Sequence, residues 1–133
     1  MIVDASVAFK LIAEEEGSDQ ALALLRSENL FAPTLMLVEV GNALWKQVRR
    51  NQIDPDVSFE TELVSLAMLV GIVDEAPYTP RALSIARSLD HPIYDCVYLA
   101  IAEIDGDRMV SADRRFLTKV RQSAWADFVE ELA

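Results

Sequence analysis

Residues 1–10 read MIVDASVAFK, where a short apolar run ends at an acid and a helical pattern follows. Residues 108–117, RMVSADRRFL, repeat this order, and residues 71–73, GIV, form another short apolar run. Short apolar strands separated by helices are typical of a parallel sheet that is covered by helices on both faces. The sequence therefore predicts an α/β fold with a mostly parallel central sheet.

Hydrophobic periodicity divides the chain into alternating strands and helices. Helix starts are indicated by Thr34, by Asp54 before Pro55 and by Thr79 before Pro80. Three of the four glycines stand where helices should stop. The predicted strands are 1–4, 30–32, 71–74 and 108–111; the predicted helices are 6–15, 18–27, 34–51, 55–69, 80–89, 94–105 and 114–122; the tail after residue 122 is left undefined.

Length and composition favour one globular domain over residues 1–133, with a hydrophobic fraction of 52% that argues against disorder. Cys96 is the single cysteine, which excludes an internal disulfide. The N-terminus lacks the basic region of a signal peptide, and no uncharged apolar run reaches the ~18 residues of a membrane span. We therefore expect a soluble, cytoplasmic protein with no membrane association.

The formal net charge of −10 argues against nucleic-acid binding at first sight, because phosphate contacts need lysine and arginine. The basic residues are clustered, however, so an acidic protein can still present a locally basic rim. Bound divalent cations would offset part of the negative charge. The basic clusters are Lys46, Arg49 and Arg50; Arg81 and Arg87; and Arg108, Arg114, Arg115, Lys119 and Arg121.

Four carboxylates stand where a soluble domain normally places an apolar residue or a helix cap: Asp4, Glu39, Asp95 and Asp113. Isolated acids in apolar surroundings need a partner, because an unpaired buried carboxylate is costly. Four such acids suggest a shared cation, and an all-oxygen ligand set suits Mg²⁺ or Mn²⁺. A metal-dependent enzyme is therefore the leading functional hypothesis.

Simpler interpretations of the acids remain open. Asp4 and Asp113 could be helix caps, and Asp95 could be a first-turn acid that complements the helix dipole. Glu39 is harder to explain in this way, because it lies more than one turn inside its predicted helix.

On that helix Glu39 shares one stripe with three residues whose side chains are polar or basic. The stripe is either an ordinary solvated face or an RNA-binding track, since lysine and arginine at ~10 and ~16 Å from the acid suit phosphates close to a cleavage point. The three residues are Asn42, Lys46 and Arg50.

Ser6 and Ser111 each stand two residues from one of the acids, in DAS and SAD. Their hydroxyls could hydrogen-bond the carboxylates behind a metal site, or they could be turn residues. His91 is interpreted as a loop residue. By default the aromatics are core or partner-facing residues; they include Trp45, Trp125, Tyr94 and Tyr98.

Four segments, IVDASV, EVGNALWK, YDCVYLAIAE and VSADRRFLTKV, together resemble the four motif blocks of the PIN domain. Their order and spacing match across essentially the whole chain. The size of the chain and the YDxxYLAIAE form resemble the VapC-type toxins of bacterial and archaeal VapBC toxin–antitoxin modules.

This resemblance implies a three-layer α/β/α sandwich and Mg²⁺-dependent ribonuclease activity, in which metal-activated water attacks a phosphodiester. It also implies a homodimer and a VapB-like antitoxin whose C-terminal segment crosses the active-site groove, where Trp45 could anchor it. The family's acidic residues fall on Asp4, Glu39, Asp95 and Asp113, its serine or threonine positions on Ser6 and Ser111, and its helix asparagine on Asn42.

Two other classes of protein are alternatives. An aspartyl-phosphate protein also uses a strand-end aspartate, but the haloacid-dehalogenase type needs a second aspartate at Ser6, and a receiver domain needs its aspartate after a middle strand. Neither pattern is present in the sequence. A PIN-like nuclease without an antitoxin and a non-catalytic acidic binding module both stay open.

Overall fold

The computed structural model of the protein describes residues 1–51 and 58–133. Short 3-10 turns occur at Ala76–Tyr78 and Ala126–Phe128. The strands are β1 Ile2–Val3, β2 Phe31–Pro33, β3 Gly71–Val73, β4 Met109–Ser111 and β5 Val129–Glu131; the helices are α1 Ala5–Phe9, α2 Ser18–Ser27, α3 Leu35–Arg49, α4 Phe59–Leu69, α5 Thr79–Leu89, α6 Ile93–Asp105 and α7 Arg114–Arg121.

Within the described residues the strands form one sheet in the order β3-β2-β1-β4-β5, and every neighbouring pair is parallel. The chain moves outward from β1 to β2 and β3, and then returns to place β4 on the other side of β1. The connections after β1 and β4 therefore run in opposite directions. Such a switch point opens a crevice at the carboxyl ends of the two strands, where ligands of open α/β sheets bind.

Right-handed crossovers place α1 to α4 on one face of the sheet and α5 to α7 on the other. The contacts agree with this arrangement: α1 packs on α3 and α3 on α4, whereas α6 packs on β1, β2 and β4 and is covered by α5. Residues 96–102 of α6 are all buried, which explains why that segment is apolar almost all round. The three-layer α/β/α architecture confirms the predicted fold class.

One predicted helix is wrong. The pattern predicts a helix over residues 6–15, but α1 ends at Phe9 and the chain then turns. Lys10 folds back so that its ammonium contacts Glu15 and the carbonyl oxygen of Glu16. Gly17, with a φ of +92°, begins α2 instead of ending a helix. The run of three like charges at residues 14–16 and this glycine stop the helical pattern early.

The tail after residue 122, undefined from the sequence, supplies the last strand of the sheet. β5 pairs with β4, with Met109 opposite Val129 and Ser111 opposite Glu131. The predicted helix 55–69 begins, with its Asp54 cap signal, outside the described residues; its described part is α4. The other predicted boundaries agree with the structure to within about two residues. None of the helices in the described part of the chain is long and apolar enough to cross a bilayer.

Candidate active site

Asp4 lies at the carboxyl end of β1, at the switch point beside β4, and is only 4% exposed. Its Oδ1 accepts hydrogen bonds from Ser6 Oγ at 2.5 Å and from the backbone N of Val7 at 3.1 Å. Its Oδ2 accepts a hydrogen bond from the Ser111 hydroxyl. Burial raises the pKa of Asp4 to about 6, although the three hydrogen bonds favour the charged form. Asp4 therefore caps α1 and is at the same time a buried carboxylate.

Glu39 lies in the second turn of α3 and is partly buried. Its Oε1 accepts a hydrogen bond of 2.5 Å from the hydroxyl of Tyr98, which lies on α6 and has no exposed surface. Burial raises the pKa of Glu39, the hydrogen bond from Tyr98 lowers it, and the charge of Asp95 raises it further. Glu39 is thus held by a donor from another element rather than lying on a freely solvated face.

Asp95 lies in the first turn of α6, where its Oδ2 is 2.6 Å from Nε2 of His91. The imidazole of His91 packs on the ring of Phe116, with 4.9 Å between centroids. Burial is the largest cause of the raised pKa of Asp4 and of Glu39, and the charge of Asp95 raises both pKa values further by a smaller amount. The charge of Asp95 on α6 therefore acts on two acids from other elements, and we call Asp4, Glu39 and Asp95 the carboxylate cluster.

Asp113 has a different environment. It is exposed and is the N-cap of α7, because its Oδ1 accepts hydrogen bonds from the backbone N of Arg115 and Phe116 at 3.1 and 3.2 Å. Its charge is not among the causes that raise the pKa of Asp4 or Glu39. Its own backbone N donates to Ser111 Oγ at 3.0 Å, which links it indirectly to Asp4. The structure thus gives Asp113 the capping geometry of the simpler interpretation, at the edge of the carboxylate cluster.

Ser6, in the first turn of α1, and Ser111, the last residue of β4, link the two strand ends at the switch point. Each hydroxyl donates to a different oxygen of Asp4. Each also accepts a backbone N–H from the loop after β4: Ser6 Oγ from Ala112 at 2.9 Å, and Ser111 Oγ from Asp113 at 3.0 Å. The two serines therefore fix the orientation of the Asp4 carboxylate in the crevice of the switch point.

The carboxylate cluster is not assembled as a metal-binding group in the structure: in residues 1–51 and 58–133, no three His, Cys, Asp or Glu side chains are placed to hold one ion. Glu39 is turned towards Tyr98, and Asp95 is turned towards His91. The donor set nevertheless fits a hard divalent cation, because it consists of carboxylate oxygens, and the charge of Asp95 raises the pKa of both Asp4 and Glu39. Side-chain rotations would be needed to bring these oxygens onto one ion.

A cavity of about 500 Å³ opens beside the carboxylate cluster. Of the predicted RNA-binding stripe on α3, Glu39, Asn42 and Lys46 line this cavity, whereas Arg50 does not and forms the C-cap of the helix. The structure therefore brings Lys46 and Asn42 to the candidate site together with Ser6 and leaves Arg50 at the far end of α3.

The sequence-based prediction missed two residues of this site. Tyr98, assigned by default to the core or to a partner, is buried but donates to Glu39. Lys10 lines the cavity from α1. Helical spacing could have found both, because Tyr98 follows Asp95 by three residues and Lys10 follows Ser6 by four.

Several apolar side chains on the α3 and α4 surface are exposed. Met68 is 84% exposed, and Trp45 is 55% exposed with the Arg49 guanidinium 5.4 Å from its ring centroid. Val38 and Val64 are exposed on the same two helices. Exposed apolar surface of this kind is typical of an interaction site.

Comparison with known proteins identifies the PIN domain over residues 1–121. Ribonuclease VapC3 of Pyrobaculum aerophilum is 30% identical over 122 residues, which cover 90% of this chain and 93% of that protein. Exonuclease VapC9 of the same organism is 28% identical, over 90% of this chain and 85% of that protein. Ribonuclease VapC12 of Mycobacterium tuberculosis is 28% identical, over 86% and 88%.

A solved structure has the same fold. The crystal structure of PAE2754 from Pyrobaculum aerophilum matches with a TM-score of 0.72 and 26% sequence identity, and the match covers 98% of this chain and 82% of that chain. The likeness extends beyond residue 121, because 98% of the chain is covered.

Proposed function

Because the chain belongs to the PIN-domain family and its relatives are VapC-type nucleases, we propose that it is a Mg²⁺-dependent endoribonuclease and the toxin of a type II toxin–antitoxin pair. We also propose that residues 1–133 form a single PIN-like domain that acts in the cytoplasm. The observation that carries this proposal is the carboxylate cluster at the switch point, with Asp4 buried and oriented by two serines.

In this proposal Asp4, Glu39 and Asp95 bind Mg²⁺ or Mn²⁺, and Asp113 joins them from the edge of the site. The cation would supply Lewis-acid activation of a water nucleophile and stabilise charge on the phosphoryl oxygens. Ser6 and Ser111 hold Asp4 in orientation from behind. The buried phenol of Tyr98 holds one oxygen of Glu39 and leaves the other available for the site.

Lys46 and Arg50 are proposed to contact the phosphates of RNA. Lys46 lines the cavity beside Glu39 and makes no ion pair within residues 1–51 and 58–133, which supports a role in phosphate contact. Arg50 lies one turn further along the helix and would contact a more distant phosphate. Asn42, between Glu39 and Lys46 on the cavity wall, would donate a hydrogen bond to the substrate or to the ligand sphere.

The exposed apolar surface on α3 and α4 supports the proposed protein partners, which are a second copy of the chain and a VapB-like antitoxin. An antitoxin segment carrying lysine or arginine could enter the negatively charged site as a substitute for the cation. Trp45, exposed and on the same helix as Glu39, would anchor the apolar part of such a segment.

The metal and the chemistry are tested together with one acid-to-amide change. Mg²⁺ or Mn²⁺ should raise the melting temperature of the wild type, because the ion binds only the native state. Asp95→Asn should lose this rise and the metal-dependent cleavage of RNA. The matched control is Glu28→Gln, an exposed carboxylate at the end of α2, which should keep both.

Two further arms separate the alternatives. Cleavage of a circular RNA would require an endonuclease, since an exonuclease needs a chain end. Normal metal-dependent cleavage by Asp95→Asn would contradict the assignment of the site, and a wild type without any cleavage would favour a binding module.

The partners are tested by sedimentation and by adding the product of the neighbouring gene to the cleavage assay. A homodimer and an inhibition that RNA can compete away are expected. A strict monomer whose cleavage is unaffected by saturating partner would leave a PIN-domain nuclease outside any toxin–antitoxin pair.

A further inference from the structure

A second cavity, of about 350 Å³, adjoins the one beside the carboxylate cluster. The two cavities share Lys10 and Ala112 as wall residues. Lys46 lines only the first cavity, and Arg114 lines only the second. The two cavities together therefore have three basic side chains on their walls: Lys46 in the first, Arg114 in the second and Lys10 in both.

We propose that Lys10 and Arg114 form a second phosphate-binding subsite for the RNA substrate. The phosphodiester backbone would run from Lys46, past the carboxylate cluster and Lys10, to Arg114. This subsite rests on the proposed function, because its ligand is the same RNA. It extends the path of that RNA from the first cavity into the second cavity, away from α3.

Lys10 is held in place before any ligand arrives. Its Nζ donates to Glu15 Oε1 at 2.9 Å and to the carbonyl oxygen of Glu16 at 2.7 Å. An ammonium group has three donors, so one N–H of Lys10 has no partner among the described residues. Its side chain is only 14% exposed, and the stem lies against Gly17, where an added Cβ would be 3.0 Å from Lys10 Cδ. Because the Lys10 side chain is already ordered, it would lose little conformational entropy when it binds a phosphate.

Arg114 offers a guanidinium at the other wall of the second cavity. Its side chain is 86% exposed, and its Nε donates to Glu131 Oε1 at 3.0 Å. The terminal N–H groups of Arg114 make no hydrogen bond with a described residue, and a guanidinium fork matches two phosphate oxygens. Lys10 and Arg114 together therefore provide a point charge and a fork on the same cavity.

Glu15 and Glu131 give the subsite a property that separates it from a purely structural ion pair. Each glutamate contacts one of the two cations and lines one of the two cavities. A phosphate bound to Lys10 would be repelled by the Glu15 carboxylate close by. Neutralising Glu15 should therefore tighten RNA binding, whereas loss of a pair that only pins the loop would lower stability and leave RNA binding unchanged.

The test measures the salt dependence of binding to a short, fluorescently labelled single-stranded RNA. All variants carry Asp95→Asn, which prevents cleavage, and no divalent metal is added. Lys10→Met keeps the apolar stem and removes the charge, and Arg114→Met does the same on α7. Each should reduce the slope of log K against log salt by about 0.7, which is about a fivefold change in relative affinity for each tenfold change in salt.

Three further variants complete the test. Lys10→Arg should restore most of the slope, and Glu15→Gln should tighten binding. Arg87→Gln is the matched control, because Arg87 is an exposed arginine on α5 that lines neither cavity. Circular dichroism confirms that each variant is folded, and Arg114→Met and Glu15→Gln decide the outcome if Lys10→Met is unfolded.

The result that overturns the subsite is an unchanged salt slope in Arg114→Met and Lys10→Met together with unchanged affinity in Glu15→Gln. In that case RNA cleavage by the otherwise unaltered protein would still support the proposed function. If the protein neither binds nor cleaves RNA, the proposed function and the subsite are both wrong.

Discussion

At the scale of single residues, the hydroxyl of Tyr98 is one of the two parts of the site that the sequence-based prediction missed. Burial and the neighbouring charge of Glu39 raise the pKa of Tyr98, so the phenol stays protonated and donates to Glu39. The carboxylate is thereby held in one orientation. We regard Tyr98 as a positioning residue, because it acts through Glu39.

Tyr98→Phe should lower RNA cleavage about tenfold or more and weaken the rise in melting temperature with Mg²⁺. It should also destabilise the protein by about 1–3 kcal/mol, because Glu39 Oε1 loses the hydrogen bond that the buried Tyr98 hydroxyl donates. The matched control is Tyr94→Phe one turn earlier on α6, where the ring is 59% exposed. Equal metal responses in the two variants would show that the hydroxyl does not position Glu39.

The raised pKa of Asp4 predicts a definite pH dependence of stability without divalent metal. The pKa is about 6 in the folded protein and near 4 in the unfolded chain. The native state therefore binds more protons between these values, and its stability falls as pH rises from about 4 to about 6. The loss amounts to at most about 3 kcal/mol.

Asp4→Asn should remove this part of the pH dependence, and Glu28→Gln should not. The measurement is the free energy of unfolding by urea at several pH values in a chelating buffer. Parallel pH profiles of the wild type and Asp4→Asn would mean that Asp4 is not a buried, weakly acidic carboxylate.

At the scale of elements, two acids serve helices that follow neighbouring strands. Asp4 caps α1 after β1, and Asp113 caps α7 after β4. A cap must stand at the carboxyl end of a strand in a parallel α/β fold, and that is also where ligands bind. Capping and metal binding are therefore not exclusive interpretations of these positions.

Asp113 offers the clearest separation of the two roles. Asparagine also caps helices well, so Asp113→Asn should leave stability nearly unchanged, whereas Asp113→Ala should lose about 1 kcal/mol. If Asp113 is a metal ligand, both variants should lose metal-dependent cleavage. Full cleavage by Asp113→Asn, with a loss of stability only in Asp113→Ala, would make Asp113 a cap alone.

At the scale of the whole molecule, Glu103 near the end of α6 joins three segments. It accepts hydrogen bonds from Arg81 on α5, at 2.6 and 3.0 Å, and one from Trp125 Nε1, at 2.5 Å. The Arg81 guanidinium also lies 5.7 Å from the centroid of the Trp125 ring. These contacts hold the segment before β5, which contains Trp125, against α5 and α6.

Glu103→Ala should therefore destabilise the protein by about 1–3 kcal/mol, because it leaves the partly buried Trp125 N–H and the Arg81 guanidinium unpaired. Glu28→Ala, on an exposed surface, should change stability by at most about 0.5 kcal/mol. Urea unfolding of both variants gives the comparison. Equal stabilities would show that Glu103 contributes no more than an ordinary surface acid.

Four of the five strands in the described residues and most helices could be predicted because local patterns carry them. The four acids of the candidate site were named from such patterns as well, and their role as metal ligands stays a prediction. Apolar runs such as residues 71–73 and 108–111 and the buried stretch of α6 need only hydrophobic periodicity. The prediction of a helix over residues 6–15 was wrong because hydrophobic periodicity carries no signal for the early end of α1. That end depends on Lys10, on the three adjacent glutamates and on Gly17. β5 escaped prediction because an edge strand of three half-buried residues is defined by its pairing with β4.

The sequence by itself determined the residue types and their order: short apolar strands, helices between them, and four acids at element ends or inside a helix. Only the tertiary structure decided which acids interact. The charge of Asp95 acts on Asp4 and Glu39 because the strand order returns β4 to the side of β1 and brings α3 and α6 to the same crevice. The partners of these acids lie up to 107 residues away along the chain, so no local pattern could have named them.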